Sequence, residues 1–188
     1  MALMPAAVTI SVLVVATILN VAFSWRSLPH PGFHGFFRFF AFEAILCIIV
    51  VNAPRWFDRP FAPLQLFSWV LLTVSFFLAV HAYHLLRHLG RPSAPASGSP
   101  LFALENTTSL VTTGAYRFIR HPAYASLLYL AWGAALKSLS LLTAILAIVA
   151  SAALIATAKA EEAENIQRFG SAYRDYMART RLFIPFVL

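Results

Sequence analysis

Residues 5–25, 36–52, 63–86 and 139–160 are apolar runs of bilayer-spanning or nearly bilayer-spanning length, and this property decides what the chain can fold into. A hydrocarbon core of roughly 30 Å needs about 20 helical residues. A shorter run, 122–136, precedes the last one, and Lys137-Ser138 is the only plausible turn between them, so these two form a tight antiparallel hairpin. With 60% apolar and only 11% charged residues, the chain cannot hide its hydrophobic surface inside itself, so lipid must be part of its solvent. That excludes a soluble globular enzyme, a disordered tail and a nucleic-acid module. The expected fold is an all-α integral membrane protein: five transmembrane helices, a helical hairpin and a short C-terminal interfacial helix. Residues 1–188 read as one domain, with three spans in 1–89, a cytosolic loop in 90–121, the hairpin in 122–160 and a C-terminal cytosolic segment in 161–188. Cys47 is the only cysteine, so one chain builds no disulfide and no Cys-based metal cluster.

The cations set the sidedness. If the N-terminus lies outside, Arg26, Arg38, Arg87, Arg91, Arg117, Arg120, Lys159, Arg168, Arg174, Arg179 and Arg181 fall on the inner side or at inner helix ends. Only Arg55, Arg59 and Lys137 fall outside, the asymmetry that the positive-inside rule requires. The net charge of +7 therefore reads as orientation and attraction to anionic inner-leaflet lipid, not as affinity for nucleic acid. The start, Met1-Ala2-Leu3-Met4, carries no basic residue, so the first run reads as a retained span rather than a cleaved signal peptide. Arg outnumbers Lys by twelve to two, which points to a bacterial chain and hence to the inner membrane. The residues specify no oligomeric state.

Polar residues concentrate in two places. Leu110 to Tyr124 is a polar, aromatic and cationic run that leads directly into an apolar helix. Pro122 suits a first helical position, so the amides just beyond it point back toward Arg120 and His121 with the positive end of the helix dipole. Such a start suits an anion, for instance a ligand carboxylate; an interfacial anchor on lipid headgroups accounts for the same residue types. The second place is Glu161-Glu162-Ala163-Glu164, just beyond the last apolar run, where a helix end prefers cations. Lys159, Arg168 or a cationic ligand would compensate these acids, and a solvated helix face is the plainer reading. After them, 169–185 reads as a helix break and a short amphipathic helix that places Tyr173 and Tyr176 on one face and ends at Pro185.

These blocks carry a resemblance. Leu110-Val111, Gly114-Ala115-Tyr116, Arg120-His121-Pro122-Ala123-Tyr124, the Glu161-Glu162 pair, Phe169-Gly170, Tyr173, Tyr176, Arg179-Thr180 and Ile184-Pro185 recur in order and spacing. In this respect the chain resembles the integral-membrane methyltransferases that include isoprenylcysteine carboxyl methyltransferase and the phospholipid N-methyltransferases. The resemblance covers the last 80 or so residues and implies an S-adenosylmethionine site at the cytosolic face. Carried over by position, Ser109, Leu110, Val111, Tyr116, His121, Pro122, Ala123, Tyr124 and Glu161 would line that site. The prenylcysteine enzymes carry an Arg, tied to the substrate carboxylate, at the position of Thr157.

The chemistry of the cofactor fits these residue types. Arg120 and His121 at a helix start suit its carboxylate, Glu161 its ribose hydroxyls or ammonium, and Tyr116 or Tyr124 its adenine or sulfonium. The expected partners are membrane lipid and an amphiphilic methyl acceptor; the acceptor group stays open among carboxylate, amine and thiol. His81, His84 and His88 share one helix face, and with His30 and His34 on the same side of the membrane they define an alternative, a metal- or haem-binding membrane protein. A non-catalytic lipid-binding member of the same fold is a further alternative. Glu43, an acid inside a span, is expected to bond to a neighbouring helix rather than to touch substrate.

Overall fold

The computed structural model describes residues 6–94 and 105–187; residues 95–104 of the expected loop lie outside that range, as do 1–5 and 188. Among the described residues the order is α1 (Ala6–Ser24), α2 (His34–Asn52), α3 (Pro63–Leu89), α4 (Pro122–Ala135), α5 (Leu141–Phe169) and α6 (Ser171–Arg179). Among the described residues β pairing is limited to two isolated bridges, Pro92 with Thr107 and Ile119 with Arg181. Helices α1, α2, α3 and α5 are long and apolar enough to cross a membrane, with mean hydropathies between 1.9 and 2.4. Their exposed side chains, such as Ile10, Ile18, Phe67, Phe77 and Ile148, are the surface that lipid covers.

Small residues bring the helices together. Ala41, Ala44 and Ile48 of α2 face Ala147, Ala150, Leu154 and Ala158 of α5, all at or below 5% exposure. Between bilayer helices, where there is little hydrophobic driving force, such seams gain their stability from close van der Waals packing. Helix α2 also packs on α1 and α4, whereas α3 leans chiefly on α4, so a gap floored by α4 lies between α2 and α3. Glu43 is bonded across helices as expected: Thr17 donates to it, and the Asn20 amide donates at 3.0 Å.

Helix α4, at 14 residues, rises only about 21 Å. Its terminal carbonyls would be orphaned in an apolar setting, and polar side chains from α2 and α3 satisfy them. Ser68 donates to the Gly133 carbonyl at 2.6 Å, Asn52 to Ala134 at 2.8 Å and Ala135 at 3.3 Å, and Gln65 to Lys137 at 2.7 Å. The hairpin turn falls at Leu136–Ser138 as expected, and Ser140 with Thr143 forms a capping box that starts α5. Lys137 does not face open solvent, since its Nζ lies 3.1 Å from the centroid of the Trp69 ring.

Two helices outrun their apolar stretches. Helix α3 continues to Leu89 and α5 to Phe169, past the boundary expected near residue 160. The Ala, Glu, Gln and Arg residues that follow position 160 are strong helix formers, so loss of hydrophobicity marks the edge of the bilayer and not the end of the helix. Glu161, Glu162 and Glu164 therefore lie one to two turns inside α5, which corrects the expectation that they sit at a helix terminus against its dipole.

Candidate functional site

The site forms where these extensions meet the chain between α3 and α4. Gly114 begins a short turn over Gly114–Arg117 with φ +59°, and a Cβ there would stand 2.5 Å from His81 Nε2. Only glycine meets both demands. The turn rests on α3, with the Ala115 N–H donating to His81 Nε2 at 3.3 Å. Gly114→Ala is expected to cost about 1–3 kcal/mol through the positive φ and the clash. Thermal unfolding reads that loss, with Gly32→Ala as a control because a Cβ at Gly32 meets nothing within 4 Å.

Beyond the turn, the C-terminal segment straps the Arg120-His121 pair in place. The Arg120 N–H donates to the Arg181 carbonyl at 2.7 Å, the Arg181 N–H to Phe118 at 3.0 Å and the His121 N–H to Leu182 at 3.2 Å. Gly170, at φ +60°, turns the chain from α5 into α6, and α6 delivers Tyr173 and Tyr176 to the site, 2% and 4% exposed. Tyr176 donates to the Tyr116 carbonyl at 2.7 Å. Burial pushes the Tyr116, Tyr173 and Tyr176 phenols above their ordinary value, and the Glu161 carboxylate adds to the shift at Tyr116 and Tyr173. Burial thus favours the neutral form of all three phenols.

Each acid of α5 has its own partners. Glu162, 3% exposed, accepts from Arg120 Nε at 2.5 Å and Lys159 Nζ at 2.9 Å, with His121 Nε2 at 3.8 Å. Glu161 accepts from the Tyr124 hydroxyl at 2.5 Å and lies 4.0 Å from His121 Nδ1. Glu164 accepts from the backbone N–H of His34 at 3.1 Å and stands 2.7 Å from its Nδ1. The expected compensation by Lys159 is present; Arg168 instead donates to the carbonyls of Glu105 and Thr107. Arg120 has a second task, since its Nη1 donates to the Thr180 carbonyl at 2.5 Å and so closes the end of α6.

A cavity of about 530 Å³ runs through this assembly. Eight of the ten residues singled out in the sequence line it: Leu110, Val111, Tyr116, Arg120, His121, Ala123, Tyr124 and Glu161. The other two stand behind the wall. Pro122 is buried at the first position of α4, and the Ser109 N–H donates to the Gly90 carbonyl at the end of α3. The rest of the lining includes residues that the motif blocks did not mark: Phe23, Arg38, Phe42, Ala79, Tyr83 and Leu127, together with Glu105 and Asn165. Arg38, a cation inside an apolar run, was the one available signal for them.

The histidine alternative is not favoured. Among the described residues no three His, Cys, Asp or Glu side chains stand close enough to share a metal ion. His81 instead holds the Gly114 turn, and the His84 and His88 rings contact each other at 4.4 Å.

Apolar helices of spanning length around a cavity lined by both polar and apolar side chains define a helical membrane protein. The family model for phospholipid methyltransferase matches residues 64–172, more than half of the chain, and the chain belongs to that family of membrane methyltransferases. Comparison with curated proteins and with solved structures gave no match.

Proposed function

We propose that the protein transfers a methyl group from S-adenosylmethionine to an amphiphilic acceptor at the cytosolic face of a bacterial inner membrane. The observation that carries this reading is the mixed lining of one cavity, with Tyr124, Glu161, His121 and Tyr116 beside the apolar side chains of Phe42, Ala79 and Leu127. Its volume of about 530 Å³ lies in the range of small-ligand pockets, roughly 300–1,000 Å³. The donor set fits the cofactor. Glu161 offers a carboxylate for an ammonium or for ribose hydroxyls, Leu110 and Val111 an apolar bed for a flat ring, and Tyr116 and Tyr124 aromatic faces beside a cation. When bound, the cofactor supplies an electrophilic methyl on sulfur.

The chain's own work is to bind, orient and keep water out. Tyr124 donates to Glu161 and fixes its carboxylate toward the cavity. The strap through Arg181 and Leu182 holds His121 beside it. Alignment of donor and acceptor in a pocket closed off from water supplies most of what a methyl displacement requires. An ionised acceptor needs no general base; an amine or neutral thiol would draw on His121, whose Nδ1 lies 4.0 Å from Glu161.

Five spans and the orientation belong to the same reading. Helix α4 and its turn run antiparallel to α5 from the level of Glu161 to Leu141, so the hairpin crosses with α4 as its shorter leg. Eleven of the 14 cations then lie inside, and residues 1–188 act as one membrane domain with its cofactor side in the cytosol. Incubation of the purified chain with methyl-labelled S-adenosylmethionine and total membrane lipid extract tests the function. Label is expected in an amphiphile extracted into organic solvent; label confined to water-soluble acceptors overturns the proposal, and absence of donor binding favours a non-catalytic lipid-binding member.

A further inference from the structure

Arg38 is the cation that α2 brings to the cavity. It lies in the second turn of α2, 3% exposed, and borders the cavity within electrostatic reach of Tyr124 and Glu161. Its guanidinium carbon is 5.4 Å from the centroid of the Phe23 ring and 5.9 Å from that of Phe42. A cation held between aromatic rings inside a membrane helix must keep a counter-ion, because its charge is costly there without one. The acid in direct contact is Glu105, which pairs with Arg38 Nη1 and also borders the cavity, with Glu161 and Glu164 farther off.

The two partners are held differently. Arg38 is fixed on a helix at the cavity wall, whereas Glu105 comes from non-helical chain outside the bundle and keeps 18% of its side chain exposed. His34, 3.4 Å from Glu105, does not depend on it, because Glu164 binds the other side of its ring at 2.7 Å. Arg120, the other cation bordering the cavity, is committed to Glu162. An incoming oxyanion that takes the place of the Glu105 carboxylate would keep the buried Arg38 charge compensated, while the Glu105 side chain, already 18% exposed, turns toward water.

We propose that Arg38 is the anion receptor for the amphiphilic acceptor, binding its carboxylate or phosphate oxygens, and that Glu105 is a built-in competing ligand which the acceptor displaces. This rests on the methyl-transfer reading for the identity of the ligand as acceptor. The headgroup then lies at Arg38, within reach of Tyr124 and Glu161, and the tail lies along Phe42, Tyr83 and Leu127 toward the gap between α2 and α3. The cavity thereby selects oxyanion-bearing amphiphiles over neutral ones of the same chain length.

The test uses the full chain in non-ionic detergent and three probes with one tail: pyrene-dodecanoate, pyrene-dodecyl phosphate and pyrene-dodecanol. Fluorescence titration is expected to show at least one of the two anions bound about tenfold or more tightly than the alcohol; which anion leads identifies the oxyanion. Glu105→Gln is expected to tighten anion binding several-fold and leave the alcohol unchanged, because the competing charge is gone while the buried cation stays. Arg38→Gln is expected to bring the anions down to the level of the alcohol, and Arg38→Lys to keep part of the preference. Equal binding of anions and alcohol by the unaltered protein overturns the inference, as does weaker anion binding after Glu105→Gln. If Arg38→Gln fails to fold, Glu105→Gln decides. Calorimetry with S-adenosylmethionine on the same samples separates two failures. Donor binding without anion preference defeats this inference alone; anion preference without donor binding defeats the methyl-transfer reading and leaves the receptor standing.

Discussion

Glu161→Ala is expected to abolish measurable donor binding, a loss of at least ~100-fold in a calorimetric titration with S-adenosylmethionine. The carboxylate is the one acid of α5 that borders the cavity, and it accepts from Tyr124 at 2.5 Å. Its removal takes away the anionic partner of a cationic ligand and leaves the Tyr124 hydroxyl without its acceptor. Glu161→Gln keeps the shape and an acceptor oxygen but not the charge, so an intermediate loss there assigns the difference to electrostatics. Glu164→Gln alters a carboxylate that faces His34 and is expected to change donor affinity far less. Unchanged affinity in Glu161→Ala removes this residue from the site.

The second large effect is on stability. Arg120→Ala leaves Glu162, 3% exposed, without its closest cation and uncouples the Thr180 carbonyl from the cavity wall. Breaking a buried ion pair from one side costs about 3–5 kcal/mol. Lys159 remains on Glu162 but is itself largely exposed, so the expected loss lies toward the lower end of that range. A lowered Tm in detergent and early proteolysis after residue 169 are the expected readouts. Adding Glu162→Gln to Arg120→Ala removes the stranded charge and is expected to restore part of the loss, a coupling that a double-mutant cycle measures. A variant that unfolds like the unaltered protein contradicts the assignment of Arg120 as the tie between α5 and the C-terminal strap.

Much of the fold was legible because lipid imposes a simple code. Apolar length marked α1, α2, α3 and α5, and the Lys137-Ser138 turn with the proline at the start of α4 marked the hairpin. The helix ends were less legible: residues 161–169 are polar yet strong helix formers, so a hydropathy boundary and a helix boundary came apart. The polar half of the site was readable from the order of the motif blocks, and eight of those ten residues do converge on one cavity. The apolar lining was not readable. Phe23, Phe42, Ala79 and Tyr83 look like any lipid-facing residues, and Phe23 and Tyr83 stay about half exposed even where they border the cavity. The salt-bridge partners were hidden for a related reason, since the rest of α2 and all of α3 separate Arg38 from Glu105 in sequence and the two meet only in the fold. Arg120, read as a ligand group from its place at a helix start, also proved to be the tie between Glu162 and the end of α6.

The central claim is that the cavity between the Arg120–Tyr124 segment and the polar end of α5 holds the methyl donor. An experimental structure of the full chain with S-adenosylhomocysteine bound tests it most directly. The expected result is ligand density bounded by Leu110, Val111, Tyr124 and Glu161, with the sulfur turned toward Arg38 and the gap between α2 and α3. Density elsewhere on the protein, or none at saturating ligand, contradicts the account.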